Sequence, residues 1–398
     1  MDLRYSDIDE AFRAELRTWL DDAVPRFRAA HPEPPSSDLR ARREHDTAWQ
    51  RALFDAGYAG IDWPVAYGGR GASPTEQLVF HEEMARADAP YVGMNFVGVL
   101  HAGPTLTAEG TEAQKSAHLQ SILRGDEVWC QGFSEPQAGS DLASLQCRAE
   151  RDGDHYVVNG SKIWTSYGEV ADFCEMLVRT DRDAPKHKGI SWLIMPMDLP
   201  GIDIRPLVAI NGSVEFNEMF LDDVRIPVDN LVGAENDGWR VAMTTLKFER
   251  GTAFVSEMIS VARATEDLAA LARRLPRGDG VVWDDAVLRR ELGHLRAQLA
   301  ALWALVKRNV SQAARTDEPP GLGGSVLKLA FTELNQKLSE LSLAVLGDAA
   351  VSRTDVDGLP LDDLVEKAIR ALSLTIAAGT SQIQRNIVAE RVLGMPKG

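Results

Sequence analysis

The chain has 398 residues, 44% of them hydrophobic and 26% charged, a balance that fits a globular protein and excludes disorder or a collagen-like repeat. Its 59 acidic residues exceed the 43 basic ones, for a net charge of -16, so neither a nucleic acid nor an anionic membrane surface is the expected main partner. Cys130, Cys147 and Cys174 lack any CxxC spacing, which points to buried thiols rather than a disulfide framework or a zinc site. No apolar run approaches the roughly 18 residues of a membrane span, and the N-terminus is acidic where a signal peptide needs an apolar stretch; a cytoplasmic location is expected.

The length suggests two or three structural units. Residues 1–125 read as helices. In "YSDIDEAFRAELRTWL" the apolar Ile8, Phe12, Leu16 and Leu20 recur on one helical face behind Ser6 as N-cap. Ser73-Pro74-Thr75-Glu76 and Thr111-Glu112-Ala113-Gln114 each fit a capping box, and "WPVAYGGRGASP" before the former is turn chemistry. Across 126–236 the period shortens. "DGDHYVVNGSKIWTS" carries Asp-Gly and Asn-Gly turns around short β-branched and aromatic runs, and "FCEMLVRT", "GISWLIMPM", "IDIRPLVAI" and "VEFNEMFLDDVRIP" are strand-sized. This predicts a middle β domain without crossover helices. Across 237–398 the helical period returns, broken at 275–280, 316–324 and 347–360, which leaves about four long helices, enough for a bundle. The fold class is α+β: an N-terminal helical domain, a middle β domain and a C-terminal four-helix bundle.

Three stretches stand out. "FSEPQAGSD", Phe133 to Asp141, offers loop amides and hydroxyls; "KIWTS", Lys162 to Ser166, sets an aromatic face beside two hydroxyls, which suits a flat hydrogen-bonding ring. Taken singly, these pieces read as turn residues and a core tryptophan. "TIAAGTSQIQRNI", residues 375–387, reads as a helix end, a break at Gly379 and a new helix opened by Thr380.

Together, "FSEPQAGSDLASL" and "DGDHYVVNGSKIWTS" resemble the flavin-binding β domain of the acyl-CoA dehydrogenase family, and the helix–β–helix order fits that family along nearly the whole chain. The resemblance implies FAD as cofactor, with Gln131, Phe133, Ser134, Gly139, Ser140, Trp164, Thr165, Ser166, Thr380 and Gln382 around it. It places Ser140, Lys247, Arg250, Ala378 and Gly379 against the acyl-CoA. The implied reaction is α,β-dehydrogenation of a thioester to a trans-2-enoyl-CoA, in which a carboxylate takes the α-proton and the β-hydrogen leaves as hydride. Such a carbon acid is weak, so the site must polarise the thioester carbonyl and raise the base's pKa by excluding water.

Many family members carry the base just before the Gly-Thr of the last motif, where this chain has Ala378. Glu249 is the other candidate. On a helix it shares a stripe with Trp239, Met243, Leu246 and Ala253, and some relatives place their base on this helix immediately before an Arg, as in Glu249-Arg250. Pairing of Glu249 with an arginine such as Arg250 is the bland alternative.

Homotetrameric members carry segments that hold the ADP half of a neighbour's FAD; here the matching places read "RRLPRGDG" and "VLGDAAVSR", and neither fits. This resembles actinobacterial steroid or branched acyl-CoA dehydrogenase-like subunits that pair with a second, different chain as a heterotetramer. A homodimer or homotetramer with other contacts is the alternative. Electron-transfer flavoprotein is the implied electron acceptor. On the same fold, an acyl-CoA oxidase, a flavin monooxygenase or a non-catalytic subunit are the competing readings.

Overall fold

In the computed structural model the described residues are 4–90, 92–249, 253–316, 323–352 and 361–397. They divide into two compact units, residues 15–73 with 87–249, and residues 1–14 with 74–86 and 250–398.

In chain order the N-terminal elements are α1 (Asp7–Ala30), α2 (Leu39–Asp55), α3 (Pro74–Arg86), α4 (Gly103–Glu109) and α5 (Glu112–Arg124). Then follow β1 (Trp129–Gly132), β2 (Arg148–Asp152), β3 (His155–Ser166), β4 (Phe173–Arg179), β5 (Ile190–Pro196), β6 (Ile202–Leu207), β7 (Phe216–Pro227) and β8 (Leu231–Val232). The remaining elements are α6 (Gly238–Glu249), α7 (Ala253–Ala272), the short strands β9 (Pro276–Arg277) and β10 (Gly280–Val281), α8 (Ala286–Thr316), α9 (Gly323–Leu346), α10 (Asp348–Ser352), α11 (Leu361–Leu374) and α12 (Ser381–Ile387).

The unit containing residues 87–249 is built on one eight-stranded sheet, ordered β6-β7-β3-β2-β4-β5-β8 with β1 beside β4. Most neighbours are antiparallel; β1–β4 and β2–β4 are parallel. Only short 3-10 turns connect β1 to β8, so the expected absence of crossover helices holds. Tyr156, Val158, Met176, Val178, Leu193, Met195, Met219 and Leu221 form its core. The three cysteines are free and buried.

The Asp-Gly turn is present, with Gly153 at φ 62°, but Asn159-Gly160 is not a turn. Both residues lie inside β3. Gly160 is required there by close approach, since a Cβ would stand 2.8 Å from Cys147 Cα.

At the start of α5 the capping box forms as expected: Gln114 N donates to Thr111 Oγ1 at 3.2 Å and Thr111 N to Gln114 Oε1 at 3.0 Å. The Gln114 amide also donates to the carbonyls of Asp229 and Leu231, at 2.8 and 2.9 Å, tying α5 to the end of the β region. Before α4, residues Val97–Ala102 form a π-helix, whose wider turn frees a carbonyl; Trp63 Nε1 donates to Val99 O at 3.0 Å.

The other unit packs α7, α8, α9 and α11 with α3 around Val255, Met258, Leu268, Leu295, Phe331 and Val345. The break predicted at 275–280 is a two-stranded hairpin, β9 with β10. From it Arg277 donates to Ala344 O at 2.7 Å and Val345 O at 3.0 Å, closing the C-terminal end of α9. In this way the 273–280 and 345–353 stretches, singled out in the sequence, bond to each other through Arg277 and Val345.

Candidate active site

In the sheet unit, β1 ends at Gly132 and the chain enters the Phe133–Asp141 loop, which turns tightly where Glu135 and Ala138 exchange backbone hydrogen bonds of 3.1 and 2.9 Å. A buried ion pair joins this loop to β3. Lys162, 0% exposed, sets its Nζ 2.8 Å from Glu135 Oε1 and 3.3 Å from Phe133 O. Glu135 also accepts from Cys147 N at 2.9 Å, Gln146 N at 2.7 Å and Gln137 Nε2 at 2.7 Å. Every oxygen of that carboxylate is bonded, which a buried charge requires. Ile163 N donates to Ser134 O at 3.0 Å, so Phe133 and Ser134 are held against β3 through their backbone.

One residue further, β3 breaks its pairing with β7 between Lys162 and Thr165. Trp164 takes the left-handed conformation at φ 63°, a state that costs an ordinary residue about 1–2 kcal/mol. The bulge turns its side chain out of the sheet: the indole is 59% exposed and rests edge-on against Phe216 at 5.9 Å. Thr165 beside it is fully buried, with an Oγ1 that has no hydrogen-bond partner among the described residues. Ser166 is half-buried. A strained, outward aromatic face next to an unsatisfied hydroxyl fits a flat ring with polar edges, such as the isoalloxazine that the sequence implies.

On β1, Gln131 Nε2 donates to Glu175 Oε1 at 2.7 Å, with His101 Nδ1 at 3.4 Å. Gly139 and Ser140 are exposed, whereas Phe133 is buried. Asp141 follows them, and Lys186 and Ser144 beside it hold its carboxyl below the usual range.

Among the described side chains of α6, Val241, Ala242 and Thr245 are fully buried. Trp239, Met243 and Leu246, expected to form the apolar stripe, are half-buried. By helical spacing the Glu249 position falls with Ala242 and Thr245. The Glu249 side chain lies outside the described residues, as does all of Arg250; Lys247 is exposed.

In the bundle unit, the chain leaves α11 and turns through Ala378 at φ 53° and Gly379 at φ 85°. Thr380 then caps α12 as expected, its Oγ1 accepting from Ile383 N at 3.2 Å. Gln382 is exposed; Ala378, Gly379 and Thr380 are half-buried. The structure thus places Phe133, Ser134, Gly139 and Ser140 on one loop and Trp164, Thr165 and Ser166 on β3, with Gln131 on β1 and Lys247 on α6; in the other unit Ala378 and Gly379 form the turn before α12, and Thr380 and Gln382 stand at its start. A cavity of about 400 Å³ among α3, α7 and α8, lined by Met258, Ile259, Ala262, Leu299 and Trp303, contains none of them. No cluster of metal-ligating side chains occurs among the described residues.

Glu135, Lys162 and His101 are functional-site residues that the sequence motifs do not single out. The available signal was a charged residue at each of two positions inside otherwise apolar or turn-forming motifs.

Family models described as the N-terminal, middle and C-terminal domains of acyl-CoA dehydrogenase match residues 8–126, 130–224 and 236–393. The chain is 40% identical over 396 residues to acyl-CoA dehydrogenase IpdE1 of Mycobacterium tuberculosis, with 98% of each chain covered. It is similar to two solved structures, each covered over 100% of both chains. The Tcur3481-Tcur3483 steroid ACAD matches at 35% identity and a TM-score of 0.83. The ChsE4-ChsE5 complex from Mycobacterium tuberculosis matches at 33% identity and a TM-score of 0.84.

Proposed function

The chain belongs to the acyl-CoA dehydrogenase family of FAD-dependent oxidoreductases, and from that premise we propose that it converts an acyl-CoA thioester to the trans-2-enoyl-CoA with Glu249 as the base. The observation that carries this reading is the strained, exposed Trp164 face beside the unpartnered Thr165 hydroxyl.

FAD, when bound, supplies the acceptor for the β-hydride. Trp164 would pack on the ring, and the hydroxyls of Thr165 and Ser166 and the amide of Gln131 would serve its polar edges. The backbone of Phe133, Ser134, Gly139 and Ser140 would line the loop side of the flavin site; in the bundle unit, Thr380, the N-cap of α12, and Gln382, in its first turn, are the assigned flavin contacts. The Ala378 and Gly379 amides donate to the thioester carbonyl, which stabilises negative charge as the α-proton leaves. Glu249 takes that proton, from a helix position that by spacing falls with Ala242 and Thr245. Lys247 and Arg250 meet the CoA phosphates as cations in an acidic protein.

The three domains run 1–125, 126–236 and 237–398. The steroid ACAD and the ChsE4-ChsE5 complex each pair two chains, which supports assembly with a second dehydrogenase-like chain and a branched or polycyclic, steroid-derived acyl group. Electron-transfer flavoprotein takes the electrons. No helix among the described residues is long and apolar enough to cross a membrane.

The test is anaerobic addition of acyl-CoAs of graded shape to the flavin-loaded protein, with Glu249→Gln alongside. Wild-type bleaching that is lost in Glu249→Gln is expected. Bleaching that survives in the variant removes Glu249 as the base, and best turnover on short straight chains removes the polycyclic substrate.

A further inference from the structure

The turn between α11 and α12 is held by donors from within the 375–387 stretch and by two from α9, Lys328 and Gln336. Lys328, on α9, is 1% exposed, and its Nζ donates to Leu374 O at 2.9 Å and to Gly379 O at 2.8 Å. Gln384, fully buried, donates from Nε2 to Ala378 O at 2.9 Å. Gln336 Nε2 donates to Thr375 Oγ1 at 2.9 Å, and Ser381 N to Thr375 O at 2.9 Å. Burying an amine is costly unless its donors are used, and here the acceptors include the last carbonyl of α11 and the glycine carbonyl of the predicted site. A cation at a helix C-terminus is favoured by the helix dipole.

In a trans peptide the N–H points opposite to the C=O. Gln384 and Lys328 engage the carbonyls of Ala378 and Gly379, so the N–H groups of the same two peptide units, those of Gly379 and Thr380, point away from these side chains. Among the described residues nothing accepts a hydrogen bond from the backbone N–H of Ala378, Gly379 or Thr380. The Gly379 and Thr380 N–H groups are therefore unpartnered among the described residues, while the carbonyls of their two peptide units are fixed from behind.

We propose that Lys328 is a positioning residue for the cofactor and thioester contacts assigned to Ala378, Gly379 and Thr380, an inference that rests on the function proposed above. Its amine locks the two left-handed residues in place. By drawing on the Gly379 carbonyl it also polarises the Gly379–Thr380 peptide, which makes the Thr380 N–H a stronger donor. A lysine that only capped α11 would have no effect beyond the stability of the turn.

Two variants separate these roles. Lys328→Met removes both bonds, whereas Gln336→Leu loosens the same turn at Thr375 and leaves the carbonyls of Ala378 and Gly379 bonded. Deflavinated protein is titrated with FAD and melted, and reduction of the loaded enzyme by acyl-CoA is followed at saturating substrate. The expected result is that Lys328→Met weakens FAD at least about tenfold and slows reduction at saturation by a similar factor, with a shifted visible flavin band. Gln336→Leu lowers the melting temperature while leaving FAD affinity within about twofold. The proposal is overturned if Lys328→Met keeps wild-type FAD affinity and reduction rate, or if both variants weaken FAD alike. Should Lys328→Met yield no folded protein, Lys328→Gln, which keeps donors but no charge, is read by the same criteria. A wild-type enzyme that no acyl-CoA bleaches defeats the proposed function, and the FAD titration still decides the role of Lys328.

Discussion

Lys162 Nζ lies 2.8 Å from Glu135 Oε1 with both side chains removed from water, and this pair pins the Phe133–Asp141 loop to the strand that carries Trp164. Breaking such a pair on one side strands a charge, at a cost of about 3–5 kcal/mol. Lys162→Met is expected to lose that much stability in urea unfolding. Lys162→Met combined with Glu135→Gln should lose less than the sum of the single variants, because the second change removes the stranded carboxylate.

Trp164 occupies a conformation that glycine adopts freely. Trp164→Gly is therefore expected to leave the melting temperature of the deflavinated protein unchanged or to raise it slightly, since little packing is lost from a side chain that is largely exposed. FAD affinity should fall at least about tenfold in a fluorescence titration. Opposite effects on stability and binding identify a residue whose backbone strain serves the ligand.

Two buried groups in the bundle unit oppose each other as pH changes. Burial pushes His81 down to about 4, from an ordinary value of 6.5, and burial pushes Glu257 up to about 7, only partly offset by Arg370. For His81 the unfolded chain binds the extra proton between pH 6.5 and 4, so its contribution to stability is lost as pH falls through that window. For Glu257 the folded protein holds the proton between pH 4.5 and 7, so stability is lost as pH rises. Each slope is about 1.4 kcal/mol per pH unit, and between pH 4.5 and 6.5 they largely cancel. Glu257→Gln should expose a stability that climbs with pH up to about 6.5, and His81→Gln one that falls up to about 7. Denaturant midpoints across pH 4–8 check both. Glu257→Gln should also leave bleaching by acyl-CoA intact, in contrast to Glu249→Gln.

The three thiols should be silent to an aqueous disulfide reagent in the folded protein and titrate fully after denaturation. Cys147 is pushed up to about 11 and Cys174 well above the usual thiol range, each chiefly by burial. Rapid reaction of even one native thiol contradicts this.

What the sequence disclosed and what it hid divide by range. The caps at Thr111 and Thr380 were legible because donor and acceptor lie three residues apart, and the strand-sized pieces between Trp129 and Pro227 because alternation is local. Asn159-Gly160 looked like a turn, since nothing local announces that Cys147 packs against the glycine. The outward aim of Trp164 depends on a bulge against β7. The pairing of Lys162 with Glu135 spans 27 residues and that of Lys328 with Gly379 spans 51, so both form only once the sheet or the bundle has folded. On α6 the expected stripe was rotated from the buried face, because small and polar residues, Ala242 and Thr245, fill a position that a hydrophobic pattern overlooks.

Arg277 makes the two unusual segments of the bundle inherit together. Exchanging the 273–280 stretch for that of an ordinary homotetrameric relative removes the guanidinium and strips the Ala344 and Val345 carbonyls of that donor. Exchanging the 345–353 stretch alone disturbs the helix end against which the hairpin rests. Chimeras that swap one segment should therefore be less stable than those that swap both, which makes the hairpin and the end of α9 one unit of substitution.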